Sequence, residues 1–232
     1  MIENYLKIPD DVIPCPESYK RYNPYIDYID KSNLRIRKNS EIFQKLDNES
    51  NTAFVVVDMQ EFFLRKGVIG ETKRKSITNY QISMLNECAK RNIPVIVMEY
   101  ECAGDTINPI AKMVDNVSTN FFMLRGEEDS GFSVPKFYET LLNLNVRKIY
   151  LMGVNTMYCV RATAEDAIDH GIDVAVSELG VGQPKKWREE KNLENGSIFF
   201  GLNGIYYTDR PVEEIIKENR DVIIRKIKAD SK

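Results

Sequence analysis

Two side chains about a hundred residues apart carry the chemistry most easily read from this sequence. Asp58 closes the apolar run "TAFVVVDMQ", and Cys159 lies in "LMGVNTMYCVRATAEDAIDHGIDVAV". A carboxylate and a thiol can divide the work of hydrolysis: Asp58 takes the thiol proton and returns it to a leaving group, while Cys159 attacks a carbonyl carbon. With Thr156 as N-cap, Cys159 is the third residue of a helix, near unpaired backbone N–H groups and the positive end of the dipole. Such a position shifts a thiol toward the reactive thiolate. Each residue alone also has a structural reading, the cysteine as a small buried hydrophobe and the aspartate as a loop cap. Burying Asp58 behind Val55, Val56 and Val57 for structure alone would be costly without hydrogen bonds.

The elements that must bring these two together follow from hydrophobic periodicity. "TAFVVVDMQ" is a continuous β-branched run, as in a strand covered on both faces of a parallel sheet. A helix of roughly Thr72–Arg91 follows, with Ile77, Tyr80, Met84 and Cys88 on one face. Then come the strand "PVIVME", a weaker helix near Asn108–Val114, the strand "NFFMLR", and a helix from Val134 to Leu144 capped by Ser133. "KIYLMG" is the fourth strand, turning at Gly153, "IDVAV" the fifth and "GIYYT" the sixth. Asp209 and Pro211 suit the opening of a last helix.

Six strands alternating with helices predict an α/β fold: a doubly wound parallel sheet in the order 3-2-1-4-5-6, helices on both faces, joined by right-handed crossovers. Strands one and four are then neighbours, and the winding reverses between them. Ligands bind in that crevice, beyond the carboxyl ends of the strands. Asp58 ends strand one, Glu99 strand two and Arg125 strand three, and Cys159 lies just past strand four. Phe62, Phe63, Tyr100 and Phe132 offer aromatic area for a small flat substrate, with core packing an equal reading for Phe62 and Phe63. Glu99 on the same rim is a substrate-binding candidate.

Bulk composition narrows the partners. The chain has 232 residues, 32 basic and 35 acidic side chains, and a net charge of −3. No basic block tracks a phosphate backbone, so no nucleic-acid partner is expected. No apolar run is long enough for a membrane span, and the opening MIENYLKIPDD lacks the apolar stretch of a signal peptide, which predicts a cytoplasmic protein. Cys15, Cys88, Cys102 and Cys159 have no metal-like spacing and read as reduced thiols. The single histidine, His170, reads as a helix C-terminal cap before Gly171, which excludes multi-histidine zinc sites and Ser-His-Asp or Cys-His-Asn triads. Residues 1–50, rich in Tyr, Pro, Asn and charge, read as an extended arm packing on its own domain or on a neighbouring subunit, with a short helix around Ile42–Leu46. Residues 51–232 are expected to form the domain that carries Asp58 and Cys159.

"TAFVVVDMQEFF" and the spacing G-V-x-T-x-x-C-V-x-x-T-A-x-x-A-x-x-x-G from Gly153 to Gly171 resemble the isochorismatase-like cysteine hydrolases, a superfamily that includes nicotinamidases and other small-amide hydrolases. The likeness spans roughly residues 50 to 210. It implies a six-stranded doubly wound fold and a Cys-Asp-Lys triad in which Cys159 and Asp58 match. It also implies a cis peptide at Val154-Asn155 that turns the N–H groups of Asn155 and Cys159 toward the substrate oxygen, and a homo-oligomer, a dimer or tetramer. Two departures stand out. "MLRGEEDSGF" aligns Ser130, Gly131 and Phe132 with a family landmark but has no lysine at the expected spacing. Arg125 is the nearest cation, and arginine stays protonated and is bulkier. The histidines of the nicotinamidase-type metal cluster are also missing, so no metal and no other cofactor is expected. The carboxylates of "GEEDS" either favour a cationic or amide-rich substrate or belong to a solvated loop.

The leading expectation is a metal-independent amidohydrolase that cleaves a small carboxamide or ureide through a thioester. One alternative is an enol-ether hydrolase using Asp58 alone, since some members cleave enol ethers without a cysteine. The other is a catalytically inactive binding or scaffold protein, for which the missing lysine argues and whose docking element would be the aromatic arm.

Overall fold

Every residue of Thr52–Val57 is buried, as a strand with neighbours on both edges and helices on both faces requires. In the computed structural model, which describes residues 11–22, 25–184 and 196–230, this run is β2 of a seven-stranded sheet. The others are β1 (Ile36–Arg37), β3 (Val95–Tyr100), β4 (Asn120–Arg125), β5 (Lys148–Val154), β6 (Asp173–Gly182) and β7 (Ile205–Tyr207). Their spatial order is β1-β7-β6-β5-β2-β3-β4, and each pairing is parallel. The six strands read from the sequence therefore lie in the expected order. The addition is β1, a dipeptide of the N-terminal arm that adds an edge beyond β7, its neighbour Arg35 accepting from Tyr206 N at 3.0 Å.

The pleat divides each central strand between two apolar layers. Phe54 and Val56 face a layer with Ile77, Met84, Leu85 and Cys88 of α1 (Glu71–Arg91) and with residues of α2 (Asn108–Val114). Ala53, Val55 and Val57 face the other layer, built by α3 (Pro135–Asn143), α4 (Arg161–Asp169), α5 (Ser197–Asn203) and α6 (Val212–Asp230). The arm packs into this second layer. Tyr19 is 1% exposed, and its ring meets Phe199 edge-on at 5.4 Å between centroids.

Three local readings need correction. Gly153 is not a turn but a residue of β5 with φ 136°. A Cβ there would stand 2.0 Å from the Val57 carbonyl oxygen, so glycine allows β5 and β2 to approach beside Asp58. Pro135 opens α3 with Val134 at the N-cap, because proline's fixed φ suits the first helical position. The Ser133 hydroxyl instead donates to Ser130 O at 2.7 Å. Asp209 does not cap α6; its carboxylate accepts from the backbone and side chain of Asn39 at 3.2 and 3.1 Å. Among the described residues, no helix is long and apolar enough to cross a membrane.

Candidate active site

Three strand ends deliver the reactive groups. β2 stops at Val57, and Asp58 takes a left-handed φ of 53° with its side chain fully buried. In β4 the pleat turns Met123 and Arg125 inward and leaves Phe122 and Leu124 exposed, so an arginine at the strand's end is carried under the neighbouring loops. Arg125 Nη2 donates to Asp58 Oδ2 at 2.5 Å and to Cys159 Sγ at 3.0 Å. Its Nη1 donates to the Glu128 carbonyl, and the guanidinium lies 4.9 Å from the centroid of the Tyr100 ring.

The chain leaves β5 through a cis peptide at Val154-Asn155. Asn155, not Thr156, is the N-cap, and the first turn, Thr156–Val160, is π-helical before α4 begins. Cys159 therefore sits in a wide turn just past β5. The Thr163 hydroxyl donates to the Cys159 carbonyl at 2.7 Å and accepts from Gly131 N at 3.0 Å, tying that turn to the loop after β4. A pocket of about 370 Å³ opens over the sulfur, with Phe63, Tyr100, Arg125, Asn155 and Cys159 in its wall.

The isochorismatase domain model matches residues 52–201. This chain belongs to the isochorismatase family. The isochorismatase domain-containing protein 2 of Xenopus laevis is 31% identical over 137 residues, 57% of this chain and 60% of the frog protein. A probable inactive nicotinamidase of Arabidopsis thaliana is 28% identical over 143 residues, 51% of this chain and 73% of its own. The crystal structure of a nicotinamidase from Staphylococcus aureus shares the fold with a TM-score of 0.58 at 18% identity, covering 68% of this chain and 99% of that one.

Not every candidate of this isochorismatase-family chain reaches the pocket. Glu99 does not: its carboxylate accepts from Thr106 N at 2.7 Å, fixing the loop after β3. Phe132 is also elsewhere, stacked on His170 at 4.8 Å and edge-on to Phe137 at 5.0 Å. Phe62, Glu127 and Asp129 of the acidic run, and Tyr158, which sequence reasoning did not single out, complete the wall. Cys159 Sγ donates to Asp129 Oδ1 at 3.5 Å. The acidic run "GEEDS" signals carboxylates near the site, but not which of them faces the sulfur. Gln60 was also missed. Its side-chain amide donates to Tyr100 O at 2.9 Å and accepts from Tyr100 N at 2.8 Å, extending the β3 ladder so that Tyr100 is held over the pocket. Among the described residues, no group of three His, Cys, Asp or Glu side chains is arranged to hold a metal ion.

The electrostatics reverse one expectation. Burial, followed by the Asp58 charge, pushes the Cys159 thiol well above its ordinary value, against the pull of Arg125. Desolvation and two carboxylates thus work against a preformed thiolate and oppose the helix start. Burial likewise lifts the Asp58 carboxyl above the usual carboxylate range, with Arg125 opposing. Alkylation of Cys159 by iodoacetamide is accordingly expected to stay slow through neutral pH and to rise only on the alkaline side of an ordinary thiol. Asp129→Asn removes a negative charge beside the sulfur, so its inflection should move to lower pH. Mass mapping of the Cys159 peptide reads both profiles.

Proposed function

We propose that this isochorismatase-family member is a cysteine amidohydrolase that cleaves the C–N bond of a small carboxamide or ureide. The observation that carries the reading is the single guanidinium donating to both the Asp58 carboxylate and the Cys159 sulfur. Arg125 stays protonated throughout. It holds the carboxylate in place and steadies the sulfur as negative charge develops there.

As the sulfur attacks the carbonyl carbon, its proton passes to Asp58, whose Oδ1 has no hydrogen-bond partner among the described residues. A carboxyl whose affinity for protons is raised by burial suits this exchange. The N–H groups of Asn155 and Cys159 receive the tetrahedral oxyanion. The C–N bond then breaks as Asp58 returns the proton to the leaving nitrogen, and ammonia or an amine departs from the thioester. Water, deprotonated by Asp58, attacks the thioester; the C–S bond breaks, the carboxylic acid leaves and the thiol is restored. Each step draws on side chains and backbone of this chain. Phe63 and Tyr100, edge-on at 6.0 Å, suit a flat acyl group. The reading also takes the enzyme as a dimer or tetramer, for which the family likeness argues, and as cytoplasmic.

The inactive reading has its own support in the Arabidopsis relative, described as probably inactive. A coupled ammonia assay over a panel of small primary amides, with intact-mass analysis of acid-quenched protein, separates the two. Ammonia release with an acyl mass added at Cys159 is expected. Ammonia without the adduct overturns the covalent route, and neither signal from any amide favours a non-catalytic protein.

A further inference from the structure

We infer that the pocket selects amides carrying a cationic group a few bonds from the scissile carbonyl, with Asp129 and Glu127 as the recognising carboxylates; this rests on the amidohydrolase reading above. The charge distribution around the sulfur points there. Arg125 and Asp58 pair at 2.5 Å and largely cancel. Glu127 and Asp129 remain in the wall, with no ion pair to another described residue. Both side chains are solvent-exposed, so they place negative charge at the mouth of the pocket, where it attracts cations most strongly at low salt.

A second observation points to a ligand with donors. Asn155 lines the same pocket and is only 3% exposed, yet its side-chain oxygen has no hydrogen-bond partner among the described residues. A buried acceptor left empty is expensive unless a bound group supplies an N–H. The aromatic rim already packs against the protein's own cations. The Arg125 guanidinium lies over Tyr100 at 4.9 Å, and the Arg65 guanidinium lies over Phe62 at 4.6 Å, so these rings meet cations at ordinary cation–π distance. Because Asp129 Oδ1 is 3.5 Å from the sulfur, the charge it reads must lie close to the reacting carbon. A cation there would also offset the carboxylate that disfavours a negative sulfur, coupling recognition to activation of the nucleophile.

The test compares thiol modification by matched reagents of opposite charge, independently of any amidase activity. In a Cys102→Ser background, which removes the exposed thiol, Cys159 is treated with trimethylammonium-ethyl or sulfonatoethyl methanethiosulfonate at low salt. Rates are normalised to those of free cysteine. The cationic reagent should be favoured by at least ~10-fold, and Glu127→Gln with Asp129→Asn should bring the ratio near that of free cysteine. A ratio near that of free cysteine in the parent protein, or one unmoved by the double substitution, overturns the proposal. Ammonia release from 3-aminopropanamide, butanamide and succinamate then distinguishes the two readings. The order cation, neutral, anion in kcat/KM is expected. Equal efficiencies would overturn cation selection and leave the amidohydrolase intact. Charge-selective labelling without ammonia from any of the three would count against the amidohydrolase while upholding cation recognition.

Discussion

Replacing Cys159 with alanine is expected to lower ammonia release from any amide the protein turns over by at least ~10⁴-fold, the scale seen when a covalent nucleophile is removed. No other described side chain offers a sulfur or hydroxyl within the hydrogen-bonded group of Asp58 and Arg125, so no substitute nucleophile is in place. Asp58→Asn is expected to cost about 10²–10⁴-fold, because the amide keeps the carboxylate's shape but cannot accept the thiol proton. A coupled ammonia assay on variants whose folding has been checked by circular dichroism measures both. Turnover that survives in Cys159→Ala but not in Asp58→Asn would remove the thioester route and favour acid chemistry by Asp58 alone.

Arg125→Gln should act first on stability. Asp58 is fully buried and Arg125 is 1% exposed, and removing one member of such a pair leaves the other charge unpaired, at a cost of about 3–5 kcal/mol. In a chain of this size that corresponds to a fall in Tm of roughly 10 °C. The sign of the pH dependence follows. Burial already raises the Asp58 carboxyl, and loss of the guanidinium raises it further in the folded state. A raised folded value favours the protonated form, so the deficit should be small in acid and grow as pH rises through it. Thermal melts of the parent and the variant across that range measure the difference. Arg125→Lys keeps the charge but not the planar fork. It should recover most of the stability and less of the activity, since one ammonium cannot reproduce the guanidinium's joint hold on Asp58, Cys159 and the Glu128 carbonyl.

The parts of this molecule readable from sequence are those governed by local periodicity. The all-buried run Thr52–Val57 and the amphipathic face of Glu71–Arg91 announce strand and helix, and the rule of right-handed crossovers then fixes the order of six strands. That order alone brings Asp58 within reach of Cys159. Arg125 was legible as the nearest cation because it ends "NFFMLR", but only the pleat of β4 shows that it points inward. Glu99 and Phe132 went astray for the same reason. Standing near a sheet's carboxyl edge does not say whether a side chain faces the crevice, a loop amide such as Thr106 N, or a ring such as His170. Asp129 and Gln60 lie in connections without periodicity, and their targets, the sulfur and the Tyr100 backbone, are distant in sequence. The direction of the thiol's shift was not legible, because desolvation is a property of the assembled site, not of a helix start.

The seventh strand has a consequence for where this protein can be cut. The span shared with its family begins at residue 52, whereas the sheet begins at Ile36, and Tyr19 covers Phe199 further out. Removing the residues that precede that span would lay bare the flank of Ile205–Tyr207 and an aromatic surface behind it, an invitation to intermolecular strand pairing. Ancestry and architecture thus have different borders here, and the sheet's outer edge is built from residues that the inherited span leaves out.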